Sequence, residues 1–205
     1  MFNMSCDYST GRAIPCKDAI GGIKAIYLVT DGTSALTLGA GDVTLDSGSD
    51  CQIDNIDTAI TVYQIDLPRN TASFSQPIEV SDENGNIFYT PTLEIALHKL
   101  DHETTCFLNA VAKNYQSILI HTESDQVLLA GYERGMGVSA GDTMVGANLG
   151  DGSKYTLTFI TQSRKPVLHL APTSGAGTSS YPFDGLATPE NVTVSAAQIT
   201  PDSVT

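Results

Sequence analysis

The sequence predicts a mainly β fold: two packed antiparallel sheets or a β-barrel, with one flanking α-helix and a long hairpin arm. Three observations carry this reading. Short runs rich in β-branched and aromatic residues recur along the chain, with apolar side chains at alternate positions. One segment, residues 101–114, carries an apolar stripe at helical spacing. Asn84-Gly85 stands between two β-type runs, and both residues accept the positive φ of a hairpin turn. Packing in layers then gives a sandwich or barrel, with the helix covering one end or face.

Residues 1–19 read as an irregular N-terminal arm, broken by Gly11 and Pro15. A domain is expected over residues 20–170. Its first strand follows Gly21-Gly22. Ile23, Ala25, Tyr27 and Val29 alternate with Lys24, Ile26 and Leu28, which suits a strand covered on both faces. The double glycine marks a turn or a close backbone approach. With no Gly-Lys-Ser/Thr and no glycine fingerprint opening a helix, it is not read as a phosphate loop. Residues 31–50 are rich in Gly, Asp, Ser and Thr and read as loop, with a short strand at 42–45. Residues 59–67 form a strand. Residues 71–80 form another, with Phe74, Ile78 and Val80 on one face. After the turn at 82–86, Ile87, Tyr89, Leu93, Ile95 and Leu97 alternate with smaller or polar neighbours. A long hairpin extending past the domain body is expected, and such a hairpin needs a partner to be stable.

In the helix, Asp101 caps and Glu103 faces the positive end of the dipole. Phe107, Ala110 and Val111 form the apolar stripe with Cys106 beside them, and Lys113 and Asn114 close the last turn. Residues 117–121 and 126–132 read as a second hairpin. Residues 133–151 read as a glycine-rich loop holding a short strand at 143–147. Residues 154–161 form the last strong strand, with Tyr155, Leu157 and Phe159 on one face, and 167–170 add a short extension. Residues 171–205 shift to Ser, Thr, Gly, Ala and Pro, which predicts an extended or disordered segment burying little.

Ten basic against 23 acidic residues give a net charge of −13. A phosphate-binding surface is disfavoured, because such surfaces neutralise phosphates with Lys and Arg. The chain has no apolar run of membrane-spanning length, and its start shows no secretion signal core. The cysteines Cys6, Cys16, Cys51 and Cys106 form no Cys-x-x-Cys pair, so no zinc site is expected. Cys106 reads as a small buried hydrophobe. Whether Cys6 and Cys16 pair stays open. His98, Asp101, His102 and Glu103 crowd the strand–helix corner and read as a polar helix start, not as metal ligands. The serines lack a Gly-x-Ser-x-Gly setting. No catalytic residue, metal or cofactor is assigned, and the protein is not expected to be an enzyme.

Several blocks, in order, carry a resemblance. They are Cys6, Gly11-Arg12, Ile14-Pro15-Cys16-Lys17-Asp18, Gly21-Gly22-Ile23-Lys24 and Ile26-Tyr27-Leu28, then Arg69-Asn70-Thr71-Ala72-Ser73-Phe74 and Glu83-Asn84-Gly85-Asn86. Tyr89-Thr90-Pro91-Thr92-Leu93, His98-Lys99-Leu100, Gly131-Tyr132-Glu133-Arg134-Gly135-Met136 and Tyr155-Thr156-Leu157-Thr158-Phe159 complete the set. Together they resemble virion structural proteins of tailed bacteriophages, of the tail-tube (major tail protein) type. The resemblance implies a β-sandwich or barrel with a flanking helix, assembled as stacked hexameric rings around a channel for phage DNA. It implies other tail or neck proteins as partners, no specific DNA binding, no membrane, and a place in the virion tail after assembly in the host cytoplasm. It also implies that the hairpin touches neighbouring copies, through Phe74, Ile78, Val80, Asn84, Gly85, Ile87 and Tyr89. The alternatives are another virion ring component (a tail terminator, head–tail connector or baseplate protein) and a free β-sandwich binding module.

Overall fold

The computed structural model describes residues 12, 20–30, 38, 41–83, 85–132, 134–148, 150–174 and 177–199. The fold is organised around β1 (Ile23–Thr30), which pairs antiparallel with β4 (Ile60–Asp66) on one side and β9 (Ile118–Thr122) on the other. The sheet continues from β9 through β10 (Val127–Ala130), β13 (Leu168–Leu170) and β3 (Ser49–Ile56) to β2 (Val43–Asp46). At its other end, β14 (Val192–Val194) lies parallel to β4, giving eight strands. A second sheet has four strands in the order β11 (Gly137–Met144), β12 (Lys154–Ile160), β8 (Thr92–His98), β5 (Ala72–Ser75). A separate hairpin pairs β6 (Ile78–Ser81) with β7 (Asn86–Tyr89).

The expected two-sided burial of the first strand is what the fold is built on. Ala25, Tyr27 and Val29 enter one apolar core, while Ile26 and Leu28 enter another. β9 divides the same way, with Leu119 in the first core and Ile118 and Ile120 in the second. The second core lies between the two sheets. There Leu93, Ile95, Tyr155, Leu157 and Phe159 of the smaller sheet meet the large one. In the first core, Val62 from one end of the large sheet shares a cluster with Ile53 and Val43 from the other. The large sheet is therefore curled. Residues 187–194 span the gap. Ala187 N–H donates to Asp54 O at 3.1 Å, Asn191 Nδ2 donates to Ile56 O at 2.8 Å, and β14 then pairs with β4.

The helix α1 (His102–Ala112) sits against the second core. Asp101 caps it, accepting from Thr104 N at 2.7 Å and Thr104 Oγ1 at 2.6 Å. Those bonds hold the Asp101 carboxyl below its usual range. Tyr155 of β12 donates its hydroxyl to Asp101 O at 3.0 Å, fixing the helix start on the smaller sheet. The covered stripe is Thr104, Phe107, Leu108 and Val111, a spacing of three, four and seven. Cys106 and Ala110, expected in that stripe, are exposed, because they lie on the opposite side of the turn.

The structure corrects the sequence reading elsewhere. The strand expected over 71–80 is two strands in different sheets, divided at Gln76-Pro77, since proline cannot donate to a ladder. β3 falls mostly on residues 51–56, between the loop expected over 31–50 and the strand expected from 59, where the sequence reading places no element. Asp54 is a bulge in its pairing with β2, so Ile53 and Ile56 both point inward though three residues apart. Strand alternation is lost at that point. The loop expected over 133–151 contains the eight-residue β11, which starts before the short strand foreseen at 143–147. Residues 171–205 were expected to bury little, yet Phe183, Leu186 and Val192 are core residues. The arm expected over residues 1–19, with Cys6 and Cys16, lies outside the described residues apart from Arg12, as do 200–205.

The C-terminal segment is fastened in two ways. Phe183 meets Tyr27 edge to face, with ring centroids 5.1 Å apart. Tyr181 joins a polar cluster over the end of β9, where its hydroxyl donates to Asp125 Oδ1 and accepts from Lys24 Nζ at 2.8 Å. His121 lies beneath, 1% exposed, with Nε2 3.3 Å from Asp125 Oδ1. Burial, followed by the charge of Lys24, lowers the His121 pKa, and the Tyr181 hydroxyl foremost lowers that of Asp125.

Two predictions follow from this packing. Phe183→Ala costs about 3–5 kcal/mol in denaturant unfolding, as for other buried phenylalanines. His121 takes a proton more readily unfolded than folded. Its stabilising contribution is therefore full above its ordinary pKa of 6.5 and declines as pH falls below it. The melting temperature is expected to drop between pH 7 and 5, and His121→Gln flattens that slope.

Candidate functional site

Most apolar residues are consumed by the two cores, and the hairpin is where three large exposed ones stand together. Ile78 lies opposite Tyr89, and Val80 opposite Ile87. Side chains alternate along a strand, so these four share one face. Ile78 is 63% exposed, Val80 62% and Ile87 57%, while Tyr89 is half-buried. The other face carries Glu79, Ser81, Asn86 and Phe88. Contiguous β-branched side chains on an open hairpin are a surface that calls for a partner.

The arm is held at its base. Tyr89 and Ser163 exchange backbone bonds of 2.8 and 2.9 Å, and Thr90 N–H donates to Pro77 O at 3.1 Å. Thr90 Oγ1 donates to Glu79 Oε1 at 2.8 Å. Gly85 in the turn has φ 60°, a left-handed conformation that glycine adopts without penalty. The turn carries Asp82 and Glu83, both exposed.

Of the contact residues predicted from sequence, Ile78, Val80, Ile87 and Tyr89 are brought together, and Gly85 sits in the turn. Phe74 does not join them. It belongs to β5 in the smaller sheet and packs half-buried on the second core, because Pro77 separates it from β6. Asn84 lies outside the described residues. The arm is shorter than expected, four residues in each strand.

A second feature lies close to the arm's base. An open groove of about 520 Å³ is lined by Tyr115, Arg134, Gly135, Ile160, Thr161 and Gln162. Tyr115 is 70% exposed, and its ring lies on the Gly137 backbone: a Cβ at Gly137 would stand 2.6 Å from Tyr115 Cε1. Sequence reasoning missed this groove. Its parts come from the segment after the helix, the turn before β11 and the end of β12, and no local periodicity links them.

Both sheets also leave open edges. β11 and β5 border the four-stranded sheet, and residues 139–145 are exposed along β11. At the strand–helix corner, His98, His102 and Glu103 are exposed and Asp101 serves as the cap. No group of three or more metal-ligating side chains gathers among the described residues. Among them, no helix is long and apolar enough to cross a membrane.

No family model matches the sequence, and no curated protein matches it. Among solved structures, the fold has a partial likeness to a chain from the virion of a native gene transfer agent particle. The TM-score is 0.35 and the identity 10%, over 49% of this chain and 82% of that chain.

Because Ile78, Val80 and Ile87 touch little within their own chain, exchanging each for serine is expected to change unfolding free energy by no more than about 0.5 kcal/mol. Far-ultraviolet dichroism melts in dilute solution check this.

Proposed function

We propose that the protein is a structural subunit of a phage-type tail tube, a building block completed by copies of itself and performing no chemistry. The observation that carries this reading is the apolar face of the arm, left uncovered by the chain that bears it. The sequence blocks that resemble tail-tube proteins point the same way. The open edges of β11 and β5 supply a further means of joining. A contact between two different patches repeats from copy to copy and closes into a ring when its rotation divides the circle. Rings of this kind, six copies in the reading proposed, stack into a tube.

A channel that conducts DNA must not hold it. The exposed face of the four-stranded sheet suits such a wall. Along it, Thr156 pairs with Asp142 and Ala96, and Thr158 pairs with Glu94. Hydroxyls and carboxylates there offer phosphate little attraction, and an overall charge of −13 adds repulsion. On this reading, other tail or neck proteins cap the tube.

Light scattering on the full chain over rising concentration, followed by negative-stain imaging, tests the proposal. Long tubes of uniform diameter are expected. Isolated single rings would reassign the protein to a terminator, connector or baseplate role. A monomer at every concentration would end the assembly reading.

A further inference from the structure

The assembly reading leaves open what receives the arm. We infer that the arm of one copy docks in the Tyr115–Ile160–Arg134 groove of the next copy, its aliphatic face on the tyrosine ring and its acidic turn at Arg134. This rests on the assembly reading above and names the contact within it.

Shape and chemistry support the match. The arm offers a flat row of β-branched side chains, Ile78, Val80 and Ile87, uncovered in its own chain. The groove offers a tyrosine ring with one side against the Gly137 backbone and the other open, next to Ile160, which is 37% exposed. A ring held in place loses little freedom on contact, which favours it as an anchor.

Charge selects the occupant. Residues 76–92 hold the acids Glu79, Asp82 and Glu83 and no Lys or Arg. Among the described residues that line the groove, Arg134 is the one that carries a charge, and it is exposed. In a chain of net charge −13, two copies repel overall, so a local opposite charge fixes where they touch. Packing arm against arm would bring like-charged segments together and leave the arginine unused. The groove also lies next to the clamp that holds the arm, since Ile160 and Gln162 shortly precede Ser163. Each copy thus presents donor and receptor side by side while leaving its own arm face open. That is the arrangement of a head-to-tail contact.

The test uses full-length protein and analytical ultracentrifugation over a concentration series. Val80→Asp disables the arm, and Tyr115→Ala disables the groove. Each is expected to sediment as a monomer where the unaltered chain assembles, with unchanged thermal melts showing that both still fold. Mixed in equal amounts they should form a one-to-one pair, because one retains a sound groove and the other a sound arm. Arg134→Glu is expected to weaken association about tenfold or more, and adding Asp82→Arg with Glu83→Arg should recover most of it. Gly137→Ala, at a residue outside the groove lining, displaces the Tyr115 ring and should also weaken assembly. If the unaltered chain never associates, the assembly reading itself fails. If it assembles, Val80→Asp prevents this, and Tyr115→Ala and Arg134→Glu leave it intact, the arm has another receptor and this inference is overturned. Failure of the mixture to pair overturns it as well.

Discussion

The structure depends on a wall of strands that is apolar on both sides. β1 and β9 send alternate residues into two separate cores, so neither face tolerates water. Each side must then be covered by something else. The smaller sheet and the helix cover one side. On the other, the large sheet curls over itself and the C-terminal segment closes the gap. The order of strands follows from that requirement. Leaving either face of β1 bare would expose a row of apolar side chains, at about 25 cal/mol for each Å².

Two-sided burial also explains where polar groups gather. His121 continues β9 after Ile120, at a point where the wall meets solvent on one side. Its ring is buried, but Asp125, Tyr181 and Lys24 ring its polar edge. The same cluster fastens the C-terminal segment, while Phe183 anchors it from within the core. Fastening at a polar rim and filling of an apolar core thus act on one stretch of chain. The segment belongs to the domain although its composition is that of a tail.

Once the cores are filled, some large apolar side chains stay exposed, among them Ile20, Tyr63, Val194 and Ile199 at separate places. Groups of them lie on the arm, around Tyr115 with Ile160, and at Met144 and Val145 by the end of β11. A hairpin of four-residue strands is too small to gain much from its own burial. The clamp at Ser163 and the turn at Gly85 hold it in shape while its apolar face stays open. Holding a contact surface rigid before contact lowers the entropy lost on association.

Much of this was legible in the residues. The alternation of β1, β4, β8 and β12, the hairpin of β9 and β10, the cap at Asp101 and the turn at Gly85 are local features. For them, spacing along the chain and direction in space coincide. Ile78, Val80, Ile87 and Tyr89 were likewise readable as a β-type pair around an Asn-Gly turn. What escaped were features where distant segments set the outcome. The bulge at Asp54 broke the alternation of β3. Gly137 and Gly141 looked like loop residues, yet they lie in a strand, one beneath the Tyr115 ring and the other with Thr156 O 3.3 Å from where its Cβ would be. Phe183 and Leu186, sparse among small residues, found their core only because the large sheet curled to meet them. The sequence by itself determined which stretches become strand, helix and turn, because those choices rest on neighbours a few residues away. The tertiary structure alone decided which faces are covered and which stay open, because burial is a property of surfaces brought together from distant parts of the chain.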